Sequence, residues 1–483
     1  MLNREDYRSR DATGLADLVH RGEAHPKEIL HCALSEIERL NPVLNAVVAL
    51  NPEKALADCG RVDAGDMNGM PFAGVPFLAK DINVDLAGFQ TTHACRFFAD
   101  VPPATEDSVL VQKWKAAGLV LAGRTNTPEF ATEFVCEPDL FGPTLNPWDI
   151  SRTPGGSSGG AAAAVASGMV PMAHASDSGG SIRVPAACCG LFGFKPTSGV
   201  IASGSWLGPL VGGLNVDHVI SRSVRDSATM LSATAGPEPF AWTSHSVPDL
   251  TPPARTLTIG VVSLAPDGAA PDPEVVQHLA ETRRLLEDIG HHTVDWSWPE
   301  GIDAWDCAQD IWASEMAIVI EKRARELGRE PTEQDLGPAV YWAFNDIRSR
   351  SAIDMARTRA HITDMQVHMA RALDGPLNRV DMLMLPVTSE PPLKTGLLSE
   401  LAAQDVSAWA PRSVQFAPYT EIFNITGQPA MSVPLYQDSS GLPLGLQFAG
   451  RVGEDGTLLA LAQTLEEACP WAGRRPDLHR VTY

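Results

Sequence analysis

The sequence predicts an α/β protein. Short apolar runs of strand length alternate with amphipathic helical stretches along the 483 residues, the pattern of helices packed on a sheet. Hydrophobic residues make up 44% of the chain, enough for a sizeable core. No apolar run reaches the ~18 residues of a membrane-spanning helix.

The elements follow in order. Leu30, Ala33, Leu34, Ile37 and Leu40 recur on one helical face, and Asn41-Pro42 predicts the stop. Asn45 to Leu50 and Gly74 to Lys80 read as strands, the second followed by a polar loop around Thr91-Thr92. Val109 to Ala117 reads as a helix, and Leu119 to Gly123 as a buried strand leading to Arg124-Thr125-Asn126. A long loop rich in Pro, Asn and Asp, Phe134 to Thr153, delivers the chain to a glycine run. The alanines after Gly160 favour a helix capped by Gly168. Met169 to Ala175 and Leu191 to Phe194 read as strands flanking a short helix that ends near Gly190. Beyond these come a strand at Leu257 to Val262, a helix from Pro273 to Ile289 stopped by Gly290, and long helices at 304–327 and 352–373. A strand at Met382 to Leu385, a hairpin and a last helix complete the chain. Pro248 to Arg255 has linker composition and is expected to join two halves of one sheet.

Charge and cysteine content narrow the function classes. A formal charge of −22 argues against nucleic acid and anionic membrane surfaces as partners, since both demand a basic face. The polar start, Met1 to Arg8, lacks the apolar segment of a secretory signal. Eight scattered cysteines fit reduced thiols in the cytoplasm. The adjacent Cys188-Cys189 pair reads as small core residues, and no Cys or His cluster, His291-His292 included, has metal-ligand spacing.

The chemistry concentrates in two glycine-flanked serines, 24 positions apart. Gly155-Gly156-Ser157-Ser158-Gly159-Gly160 precedes the alanine run, and Asp177-Ser178-Gly179-Gly180-Ser181-Ile182-Arg183 follows it. Glycines beside a serine let backbone approach a reacting carbonyl and aim N–H groups at it. A third element, Lys80, ends the apolar run Val75 to Ala79. A serine hydroxyl needs a base, and a lysine serves if burial depresses its pKa from ~10.4 towards neutrality. The bland alternative is a surface lysine paired with Asp81.

With these three motifs the chain resembles the amidase signature family of Ser–cis-Ser–Lys hydrolases. Gly142-Pro143-Thr144, Asn146-Pro147-Trp148, Arg152-Thr153-Pro154, Lys195-Pro196-Thr197, Asn424 to Pro429 and Gly441 to Gln447 extend the likeness over most of the chain. The resemblance implies a single domain over 1–483, a large twisted mixed β-sheet flanked by many α-helices. Its signature core would span about 70–220, with a small helical substrate-lining subregion at about 300–375. It also implies that Ser181 is the nucleophile, that Ser157 relays its proton to Lys80, and that the peptide bond before Ser157 is cis. Backbone N–H groups of Ser178, Gly179, Gly180 and Ser181 would form the oxyanion hole, each worth ~2.7–4 kcal/mol in a serine hydrolase. Asp177 and Arg183 would brace the loop, with Ser158 and Ser176 as supporting hydroxyls. No cofactor and no metal are implied.

Rival motifs fail on context. Gly156-Ser157-Ser158-Gly159-Gly160 matches the nucleophile-elbow pattern, but that elbow needs an apolar strand directly before it, and Ile150 to Pro154 is a polar turn. Asp177-Ser178-Gly179 mimics half of an aspartic-protease pair. His218, His361 and His368 read as structural or surface residues.

Substrate is less specified. The apolar glycine-rich loop Ser203 to Gly213, with Trp206 and Leu207, could wall a pocket together with Trp312 and Met316 of helix 304–327, which also carries Trp305. The ending Pro470 to Pro476 resembles the 6-aminohexanoate cyclic-dimer hydrolase branch, whereas Ile201 to Ile220 departs from the glutaminyl-tRNA amidotransferase branch. The expected substrate is a small apolar amide, extending to carbamates or nylon-type oligoamides, handled by a cytoplasmic monomer or homodimer. The alternatives are an amidotransferase-type subunit and a non-catalytic binding protein.

Overall fold

The structure is a computed structural model. It describes residues 2–64, 69–202, 213–236, 250, 255–375 and 379–478. Trp206 and Leu207, and most of the linker at 248–255, lie outside these residues. No described helix is long and apolar enough to cross a membrane.

Among the described residues, eleven strands form two sheets. Strands β1 (Val47–Leu50), β2 (Pro76–Lys80) and β3 (Val120–Thr125) make a three-stranded sheet in the order β1-β3-β2, with β2 parallel to β3. The larger sheet draws on β4 (Met172–Asp177), β5 (Phe192–Lys195), β6 (Val216–Ser221), β7 (Thr258–Val261), β8 (His292–Asp295), β9 (Met382–Pro386), β10 (Ala430–Gln437) and β11 (Pro443–Ala449). Its order is β4-β6-β5-β10-β11-β9-β7-β8. The first six of these strands pair antiparallel, and β9, β7 and β8 run parallel, so the sheet is mixed. Strands from both sides of residues 248–255 share it, but Lys80 sits on the separate small sheet.

Helices cover both sheets. Helix Gly159–Ser167 is buried at every residue, which its alanines permit because nothing larger than Val165 has to be accommodated. Gly168 ends it in the left-handed region, as expected. The helix through Leu30 and Leu40 runs over Pro26–Leu44, one turn past the predicted stop. Pro42 falls in its last turn, and Asn45 supplies the left-handed cap. Strands β6 and β8 were not anticipated; His292 opens β8. The structure also adds helices that periodicity did not single out, among them Pro52–Ala64, Val224–Thr234, Pro338–Arg348, Leu397–Gln404 and Val406–Phe416.

Candidate active site

Lys80 is the last residue of β2 and is fully buried. Burial, partly offset by Cys136, Asp217 and Asp177, brings its pKa down to about 7. Its backbone N–H donates to His174 Nδ1 on β4 (3.2 Å), and His174 Nε2 lies 3.0 Å from Asp217 on β6. A chain of strand residues thus fixes the end of the small sheet against the large one. Asp81 does not pair with the lysine. It is itself buried and accepts from the N–H and hydroxyl of Thr92, which removes the surface-pair alternative.

Lys80 Nζ lies 2.6 Å from Ser157 Oγ and 3.1 Å from Ser176 Oγ. The Gly156–Ser157 peptide bond is cis. Residue 156 must be glycine here, because a Cβ would overlap the carbonyl oxygens of Glu133 and Val135. Ser158 ties the two serine loops together: its N–H donates to the Ser181 carbonyl (3.2 Å), and its Oγ donates to the Ser176 carbonyl (3.2 Å).

The loop after β4 is organised by one carboxylate. Asp177 accepts from the N–H groups of Gly180 (2.8 Å) and Ile182 (3.1 Å), and from Arg183 Nε (2.9 Å) and Nη2 (2.8 Å). Burial opposes ionisation, but the Arg183 guanidinium outweighs it and holds the carboxyl at about 2. Gly180 departs from the expectation for the oxyanion hole. Its N–H is taken by Asp177, so it is not free for a ligand. Among the described residues, no acceptor takes the N–H of Ser178, Gly179 or Ser181, and these three residues line a cavity of about 60 Å³.

Ser157, Ser176 and Ser181 open onto the same cavity. Its other walls include Phe130, Phe134, Trp305 and Trp312, with Glu133 and Glu421. The Trp312 indole donates to the Phe130 carbonyl (3.0 Å), which fixes the ring against that wall. Met316, expected beside it, does not line the cavity: one turn further on, it is buried in an apolar cluster with Phe97, Phe98 and Phe344. Helix 304–327 turns only its Trp305–Trp312 portion towards the cavity.

Comparison with known proteins places this geometry. The family model described as Amidase matches residues 28–459. The chain belongs to the Amidase family. A 6-aminohexanoate-cyclic-dimer hydrolase of Paenarthrobacter ureafaciens is 34% identical over 97% of both chains. The putative amidase AmiB2 of Mycobacterium tuberculosis is 36% identical over 97% of this chain and 98% of that protein. A solved 6-aminohexanoate cyclic dimer hydrolase superposes with TM-score 0.89 at 32% identity, covering 98% of this chain and 99% of that one. A bacterial aryl acylamidase does so with TM-score 0.84 at 25% identity, covering 96% and 97%. This amidase is a hydrolase of amide carbon–nitrogen bonds, acting on small amides.

Sequence reasoning missed the amidase's His174, Glu133 and Glu421. His174 sits in the apolar strand β4 with no motif around it. Glu421 lies in the polar stretch Pro418 to Glu421, which reads as surface until Gly179 is packed against it from 242 positions away.

Proposed function

We propose that Ser181 attacks the amide carbonyl while Ser157 relays its proton to the uncharged amine of Lys80. Near neutral pH about half of a buried amine with a pKa of about 7 is unprotonated, and its lone pair can accept the Ser157 hydroxyl proton 2.6 Å away. Ser157 then takes the Ser181 proton as the Ser181 oxygen bonds to the carbonyl carbon. The free N–H groups of Ser178, Gly179 and Ser181 are the donors for the developing oxyanion. Collapse expels the amine, which receives its proton from Ser157, and water releases the acyl group by the same route. Asp177 and Arg183 hold the donor loop. Ser176, the second hydroxyl on Lys80, orients the amine, and Ser158 joins the loops. The contact of the buried Lys80 with Ser157, which lines the same cavity as Ser181, carries this reading.

The cavity's aromatic walls and small volume favour compact amides with an apolar body: aryl amides, cyclic amides of the 6-aminohexanoate type, and carbamates, whose carbonyl reacts by the same acyl transfer; the walls also carry polar groups. The negative net charge and free cysteines support a cytoplasmic enzyme that needs no nucleic-acid partner, and we propose that it works as a monomer or homodimer. Incubation with a fluorophosphonate followed by peptide mass mapping tests the nucleophile. Ser181 is expected to carry the adduct, and Ser181→Ala to lose both labelling and anilide turnover. A label elsewhere, or turnover by Ser181→Ala, would overturn the assignment.

A further inference from the structure

The cavity contains a carboxyl group that the acyl-transfer chemistry does not use. Glu421 is 8% exposed and lines the cavity, and among the described residues neither a hydrogen bond nor an ion pair reaches its carboxyl. One carboxyl oxygen lies 3.0 Å from the point a Cβ on Gly179 would occupy, which sets it beside the oxyanion donors. Two nearby glutamates are engaged otherwise: Glu129 accepts from the Gly337 N–H (2.7 Å), and Glu137 from the Gly396 N–H (3.0 Å) and the Ser399 hydroxyl.

The surroundings offer Glu421 little positive charge. The Arg183 guanidinium favours its ionisation, but Arg183 is committed to Asp177, Asn424 (2.7 Å), Gln447 (2.6 Å) and the Thr420 carbonyl (2.8 Å). Asp303, Asp306 and Asp177 also face Glu421, and all three disfavour its ionisation. Burial and these charges push its pKa well above the usual carboxylate range. Glu133 adds a second carboxyl to the cavity wall, raised to about 8 by burial, Glu137 and Glu129. No Arg, Lys or His is among the described lining residues.

A buried acid without a partner is costly, and a ligand that brings a compensating cation removes the cost. We propose that Glu421 recognises a protonated amine, so that the cavity selects amides carrying an alkylammonium group close to the scissile bond. The proposal rests on the reading of this cavity as the amide site. An ammonium presents three donors, and the Gln309 amide oxygen, which also lines the cavity, can share them with the Glu421 carboxylate. The Asn215 amide oxygen on the same wall already accepts from the Ser178 hydroxyl (2.9 Å) and has one lone pair left. An anionic substrate meets only carboxyl groups. When the ammonium binds, a protonated Glu421 gives its proton to solvent and the ion pair forms. Apparent affinity therefore rises with pH until Glu421 is already ionised in the free protein, and falls once the free amine deprotonates.

Inhibition of neutral-anilide hydrolysis by n-butylammonium, 1-butanol and butanoate tests this. The ammonium is expected to bind at least about tenfold more tightly than either analogue, and Glu421→Gln to erase that ratio. Calorimetry of n-butylammonium with the wild-type protein, in two buffers of different ionisation enthalpy, is expected to register proton release, and this needs no variant to fold. Equal inhibition by the three probes, a ratio unchanged in Glu421→Gln, or binding without proton release would each overturn the proposal. Failure of the wild-type protein to hydrolyse the anilide would instead defeat the amide-site reading, while the calorimetry would still report on Glu421.

Discussion

The amine of Lys80 meets two demands that point the same way. The proposed proton relay needs it unprotonated, and burial without an ion-pair partner among the described residues favours that form. Its pKa of about 7 means that the active form is lost on acidification. We expect kcat/KM to fall about tenfold per pH unit below neutrality, with a single inflection near 7. A flat profile to pH 5 would contradict it. Lys80→Met should lower kcat by about 10²–10⁴-fold. It should also stabilise the fold by about 1–3 kcal/mol, because the cost of neutralising the amine exceeds what Ser157 and Ser176 lose as partners. Urea unfolding at pH 7 measures it. Lys80 was readable in the sequence because the apolar run Val75 to Ala79 precedes it and two glycine-flanked serines follow; the run alone would have left the surface pair with Asp81 standing. Glu421 was not, since only tertiary packing distinguishes it from a surface glutamate.

At the scale of an element, the turn from β4 into helix Arg183–Cys189 is built around Asp177. Asp177→Asn leaves the fully buried Arg183 without its anion and should cost about 3–5 kcal/mol, read from the denaturation midpoint. Gly180 has a φ of 138°, and a Cβ there would overlap the Thr420 side chain. Gly180→Ala should therefore cut turnover and lower the melting temperature together, although its own N–H faces Asp177 and not the cavity. Elements with clean periodicity were legible: helix Ala352–Leu373 has the predicted bounds. Strand β6 was hidden because Asp217 and His218, polar yet buried, interrupt its apolar pattern while pairing with His174 and Ser227. Helices Leu397–Gln404 and Val406–Phe416 are short, and Pro411 inside the second reads as a breaker.

Across the whole molecule, buried titratable groups shape stability against pH. Glu133 and Asp226 have folded pKa values raised to about 8 and about 7, so the stability they confer when protonated is lost as pH rises through those values. Lys80 and Lys195 are lowered to about 7, so their contribution is present above the ordinary lysine value and lost as pH falls towards 7. Together these groups make stability lowest close to pH 7–8. The melting temperature should decline from pH 5 to 8, and Glu133→Gln should flatten that decline. The α/β class and the mixed sheet followed from alternation and family likeness, but the division into two sheets did not. Nothing in the strand from Pro76 to Lys80 says that it pairs with β3 alone.

That division has a consequence for how the enzyme fails. Lys80 stands on the small sheet and Ser181 on the loop after β4 of the large one, while Ser157 lies on the segment that leads from β3 to helix Gly159–Ser167. The Lys80–His174 and Gly160–Asn126 hydrogen bonds tie these parts together. Loosening of the smaller sheet would separate Lys80 from Ser181, the proposed proton acceptor from the proposed nucleophile, while most of the secondary structure persists. In a denaturant titration, inactivation should therefore run ahead of the loss of ellipticity, making turnover an early gauge of slippage between the two halves.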